Sequence, residues 1–267
     1  MKAFACLCSW EFKAGLRNRS LLLMNYLLPL GFYGLIGALM TEINPSFRQQ
    51  IIPAMIVFAT LSSAILGLPT PLVEARETGI LRSFRINGLS VGPLLAAPAL
   101  SASVHILAVS LIITVTAPLL FAGPLPSNWP SFFLVLLSLL LACTGLGSLI
   151  GVIAGSSRSA ILWQQLIYLP SMLLGGLMLP SGMLPAGFAR ISRLLPAIYA
   201  MDAFLGLAWG QETLYPPSLN IAVLAAGGIL AFALSALLFA WDNDSRKHPV
   251  LALLALLPYL LGALLLA

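Results

Sequence analysis

The sequence predicts an all-α polytopic membrane protein, and three observations carry that reading. Of 267 residues, 60% are hydrophobic and only 8% charged, with a mean hydropathy of +1.02. A soluble domain carries about 25% charged residues to face water. The apolar residues gather into runs of bilayer length, for which about 20 residues are needed. The charges fall between the runs, most densely from Glu74 to Arg85, where twelve residues hold five of them. At about 2.5 kcal/mol or more per charge at a bilayer centre, burying that stretch in lipid would cost roughly 12 kcal/mol. It therefore lies to one side of the membrane.

Residues 1–19 read as an amphipathic helix in the membrane interface. Lys2, Ser9, Lys13 and Arg17 share one face, with Phe4, Leu7, Cys8 and Phe12 opposite. Glu11 falls on the apolar side, where a carboxylate needs a cationic or hydrogen-bonding partner. Cys6 and Cys8 are about 200° apart on such a helix and cannot share a metal. Together with Cys143 they read as small buried apolar side chains.

A six-span transmembrane domain follows over residues 20–240. Its spans are expected at Ser20–Met40, Ile51–Pro71, Leu94–Phe121, Ser131–Ala154, Ala160–Leu179 and Ser218–Ala240. Residues 241–267 read as a cytoplasmic loop and a seventh span, Val250–Ala267. With the N-terminus inside, ten Lys and Arg lie in inner segments and three, Arg48, Arg190 and Arg193, in outer ones. The excess of inner positive charge places the N-terminus and the 74–92 loop in the cytoplasm.

That loop is not built as a passive linker. After Gly79, residues Ile80, Leu81 and Phe84 fall on one face of a short helix, while Arg82 and Arg85 point the other way. Asn87-Gly88 ends the helix. An apolar edge outside the bilayer is a surface to offer a partner. The 180–217 segment is also unusual, being too apolar for an aqueous connection and broken by Pro180, Pro185 and Pro196. Two short helices near Ala186–Leu194 and Ala197–Leu207, dipping into the outer leaflet, would account for it. Irregular backbone at that depth is tolerated only against protein or a water-filled cavity.

The spans carry almost no ionisable groups. His105 reads as a packing residue, and Gln164 and Gln165 form the main polar pair. Ion-driven transporters normally carry charged relays inside the membrane. No GxxxxGK[ST], HExxH or His/Cys cluster occurs, and no nucleophile elbow. The net charge of +5 is scattered rather than gathered in a patch, which excludes nucleic acid as a partner. If anything moves uphill, another chain supplies the energy.

The sequence resembles the transmembrane subunit of type-2 ABC exporters on four features, together covering most of residues 1–240. The first is the amphipathic N-terminal helix ending in Arg17-Asn18-Arg19, with Pro29 in the first span. The second is Glu74-x-Arg76-Glu77-x-Gly79-x-Leu81, close to the family's E-x-x-x-G-x-L-x-x-x-R signature. The third is Met178-Leu179-Pro180 through Leu184-Pro185, and the fourth is the stretch from Leu194 to Ala203, similar to the family's LP-x-x-Y-x-x-D. The seventh apolar run departs from the family's six-span core.

The resemblance implies that two such subunits pair, as homodimer or heterodimer, in the membrane of a prokaryotic cell. Each docks an ATP-binding subunit that holds ATP and Mg, so this chain carries no cofactor and no ATPase site. Glu74, Arg76, Glu77, Gly79, Leu81 and Arg82 would form the transmission interface, with Arg85 beside them. Ile80, Leu81 and Phe84 would seat in an apolar cleft of the ATPase. Pro180, Leu184, Pro185, Pro196, Tyr199 and Asp202 would belong to an external gate. The weakly polar path, with Met172, Met178 and Met183, suits membrane lipid, a lipid-linked molecule or a hydrophobic drug, as in multidrug export. Two other readings are a membrane-embedded enzyme using Asp202, Arg190 and Arg193, and a non-transporting assembly factor.

Overall fold

The computed structural model describes residues 2–178, 185–242 and 249–265, and among these the chain is helical with no strand. Helix α1, Lys2–Arg17, precedes α2, Arg19–Ile43. Asn18 separates them, its side-chain oxygen accepting from the Ser20 backbone N–H at 2.9 Å. Then follow α3 (Ile51–Glu77), α4 (Ile80–Ile86), α5 (Val91–Phe121), α6 (Trp129–Ile153) and α7 (Ser157–Leu174). The chain continues with α8 (Ala186–Ser192), α9 (Pro196–Ala208), α10 (Pro217–Leu238) and α11 (Val250–Leu265). Helices α2, α3, α5, α6 and α10 are long and apolar enough to cross a membrane.

Helix α3 is the centre of the bundle, with every residue from Ile51 to Leu61 buried. Small residues let its neighbour approach closely. A β-carbon at Gly147 of α6 would collide with the Ala64 carbonyl of α3, and one at Gly228 of α10 would meet the Leu141 backbone at 2.6 Å. With no hydrophobic drive between helices in lipid, such backbone proximity is a main source of packing energy.

Two π-helical turns, Leu23–Leu27 in α2 and Ser62–Gly67 in α3, stand just before Pro29 and Pro69. Proline has no N–H to give the carbonyl four residues back, and the local shift in register accommodates that loss. The two turns are joined by a buried hydrogen bond, Ser63 Oγ donating to Asn25 Oδ1 at 2.6 Å.

Several expected boundaries shift. The second span does not stop at Pro71 but continues as helix to Glu77, so Glu74, Arg76 and Glu77 stand on its end rather than in a loop. Pro69 stands at the start of that continuation, directly after the π-turn that accommodates its missing N–H. Helix α7 ends at Leu174, before Gly175, and is less apolar than the five membrane-length helices. Leu179, the expected end of that span, lies outside the described residues.

The seventh apolar run forms a sixteen-residue segment, 250–265, shorter than the other spans. Its first half is 3-10 helix, whose rise of about 2 Å per residue stretches the whole to about 28 Å, close to the hydrocarbon thickness. Tyr259 packs on Gly227 and Gly262 on Val223, so α11 runs antiparallel along α10. Of the cysteines only Cys143 is buried; Cys6 is exposed on α1 and Cys8 half-buried.

Candidate functional site

The site begins where α3 ends. Arg76 is 4% exposed, and its guanidinium donates to the carbonyls of Ala154 and Gly151, both at 3.1 Å. These are the last-turn carbonyls of α6, which a cation both hydrogen-bonds and stabilises through the helix dipole. The next residue does the converse. Glu77 accepts from the Ser157 backbone N–H at 3.1 Å and from the Ser157 hydroxyl at 2.6 Å, at the first turn of α7. A carboxylate is favoured at a helix N-terminus. Two neighbouring residues of opposite charge thus hold both sides of the turn between α6 and α7. The turn is also stiffened internally, since Ser156 caps α7 and the Ser159 hydroxyl accepts from the N–H groups of Gly155 and Ser156.

Beyond this clamp the chain reverses at Gly79, whose φ of +76° is the left-handed conformation that glycine adopts without strain. Helix α4 then lies against the bundle with Leu81 inward, 1% exposed, and Phe84 half-buried. Leu81 is thus taken up by this chain's own core, where the sequence reading offered it to a partner. Ile80, Arg82, Ser83, Arg85 and Ile86 remain exposed, Ile86 to 79%. The Arg82 guanidinium donates twice to Asp242 Oδ1, at 3.0 and 2.9 Å, tying α4 to the segment after α10. Neither Ile86 nor Asp242 was picked out from sequence. Ile86 could have been, as a large apolar residue at the end of an otherwise charged helix face; Asp242 could not, because it is 160 residues from Arg82.

A family model for the ABC-2 type transporter matches residues 2–209, more than three quarters of the chain. The chain belongs to the ABC-2 type transporter family. It is a multi-pass transmembrane component of an ABC transporter, and membership implies an ATP-binding partner subunit. No curated protein and no solved structure matches the chain.

In this permease, helices α1, α2, α4 and α5, the second half of α3 and Ser148 of α6 line a half-open cavity of about 400 Å³. His105 forms one of its walls. Its ring stacks on Phe12 of α1 at 4.6 Å and 4°, shares a 2.7 Å hydrogen bond with the Tyr26 hydroxyl, and packs on Gly15 so closely that a β-carbon there would run into it. His105 is thus the packing residue that the sequence suggests, and it fixes α1 to α5. Glu11 of α1 also faces this cavity, and burial raises its pKa to about 7.

At the other end of the permease, α8 and α9 are the two short helices expected between the fifth and sixth spans. Every residue of Pro196–Ala203 is buried. Pro196 opens α9 and Pro185 precedes α8, while Pro180 and Leu184 lie outside the described residues. The Tyr199 hydroxyl donates to the Arg193 carbonyl at 2.7 Å. Asp202 accepts from the N–H groups of Leu214 and Tyr215, at 2.7 and 3.1 Å, and from Asn220 Nδ2 at 2.8 Å. It pins the return of the chain into α10. Between α9 and the loop after α2 lies a smaller cavity of about 230 Å³, lined by Asn44, Gln49, Gln50 and Gln211. Of the methionines proposed to line the path, Met172 and Met178 pack half-buried against the core, and Met183 lies outside the described residues.

Proposed function

We propose that the chain is the permease of an ATP-driven exporter for a hydrophobic or amphiphilic substrate, with its N-terminus and α4 in the cytoplasm of a prokaryotic cell. Two permeases, identical or related, pair around the path, and each docks one ATP-binding subunit on α4. The observation that carries this reading is the placement of α4. It is exposed on the face bearing Ile80, Arg85 and Ile86, yet is joined within two residues to the clamp formed by Arg76 and Glu77.

A partner that moves α4 therefore acts on the α6–α7 turn through short polar contacts rather than through a flexible linker. The transmission residues are Glu74, Arg76, Glu77, Gly79 and Arg82, and the docking face is Ile80, Ile86 and Arg85, with Phe84 at its edge. Helices α8 and α9 form the external gate, held shut by the Tyr199 and Asp202 contacts. An enzyme at that face would need Asp202 as its acid or base, but its oxygens are engaged by three donors.

The experiment is co-expression with a candidate ABC ATPase, followed by pull-down and by transport of a fluorescent lipid or dye into inverted vesicles. Stoichiometric capture and ATP-dependent uptake are expected. Substantial ATP hydrolysis by the purified single chain contradicts the reading.

A further inference from the structure

The 400 Å³ cavity is the size of a drug-like ligand site, and its walls are mostly apolar with a few polar groups, as such sites are. Its charges are one-sided. Glu11 and Glu74 line it, and no Lys or Arg does. Glu11 is the carboxylate that the sequence places on the apolar side of α1, and no side chain among the described residues hydrogen-bonds to it. At the cavity's inner end the Ser148 hydroxyl, 1% exposed, has no hydrogen-bond partner. Trp10 and Phe84 supply aromatic surface, which attracts a cation through its ring face.

We propose that this cavity binds a small lipophilic monocation, an aryl or alkyl ammonium. Its charged head lies between Glu11 and Glu74, a polar substituent reaches Ser148, and its apolar body packs against Leu94 and Leu95. Occupancy of this cavity depends neither on which side of the membrane faces the cytoplasm nor on what the transporter exports. The cavity is bordered by α1 and α4, so an occupant wedges the helix that we propose docks the ATPase.

His105 on α5 and Glu74 on α3 line the same cavity as Glu11, and Lys13 and Arg17 share its own helix. A bound cation favours the ionised form of Glu11. Binding at pH 6 therefore releases about one proton, given a free value of about 7.

The test uses the full chain in detergent with 2-naphthylmethylamine, and its neutral counterpart 2-naphthylmethanol, by calorimetry in two buffers of different ionisation heat. Saturable binding of the amine is expected, at least tenfold tighter than the alcohol and with proton release. Glu11→Gln, nearly the same shape, should weaken the amine at least tenfold, abolish the proton release and leave the alcohol unchanged. Absence of saturable amine binding overturns the proposal. So does equal binding of amine and alcohol, or amine binding and proton release that Glu11→Gln leaves intact. Should Glu11→Gln fail to fold, the parent's amine-to-alcohol ratio and proton release decide the matter alone.

Discussion

Glu77 accepts two hydrogen bonds from a single residue, Ser157, one from its backbone and one from its hydroxyl, across 80 residues of sequence. The resemblance placed Glu77 in a transmission interface without naming its contact. The structure gives it a helix N-terminus, beside an Arg76 that holds the neighbouring helix by its carbonyls. Glu77→Ala is therefore expected to keep the fold and the docking of the ATPase but to lower substrate-stimulated ATP turnover and export. Ser157→Ala, which keeps the backbone donor, should have the same effect in weaker form. Pull-down and vesicle transport on both variants measure this; unchanged transport in both would make the clamp a passive contact.

Leu81 and Ile86 should separate packing from docking. Leu81→Asp puts an unpaired charge in the core and is expected to destabilise by about 3–5 kcal/mol. Ile86→Asp alters a side chain 79% exposed and should change stability by less than about 0.5 kcal/mol, while weakening ATPase capture tenfold or more. Thermal melting in detergent beside pull-down distinguishes them.

Removal of the Asp202 side chain should loosen the outer hairpin. Asp202→Ala leaves the Leu214 and Tyr215 N–H groups and Asn220 without their acceptor, at a cost of about 2–3 kcal/mol. Asp202→Asn keeps the shape and one acceptor oxygen, so part of the donor set stays satisfied and the cost should be smaller. Melting temperatures and protease cleavage near Thr213 report the difference.

Stability should depend on pH through Glu11. Its pKa rises on folding from 4.5 to about 7 because burial disfavours the charged form. The stabilisation is thus fully present below 4.5 and is lost progressively as pH rises through about 7. Glu11→Gln should flatten that part of the melting-temperature profile.

The proposed topology places α4 inside and α8 outside. In a background without Cys6, Cys8 and Cys143, Arg190→Cys should label from outside intact cells with an impermeant reagent, and Ser83→Cys only after lysis. The reverse pattern would invert the whole map.

Much of this protein is written in one dimension. Whether a run can cross a bilayer depends on its own length and polarity, so five membrane-length helices, the N-terminal helix and the two short helices around Pro196 were legible without neighbours. The ordered motifs around Glu74–Leu81 and Leu194–Ala203 pointed to the family for the same reason, being local strings. What only the tertiary structure decided is which face of each element is occupied. A seven-residue helix has apolar residues around much of its circumference, and nothing local says that Leu81 turns inward while Ile86 stays out. The partners of Arg76, Glu77 and Arg82 lie 75 to 160 residues away. A charge near a helix end is compatible with many partners, and only the packing of α6, α7 and α10 around α3 brings two carbonyls, one hydroxyl and one carboxylate within reach.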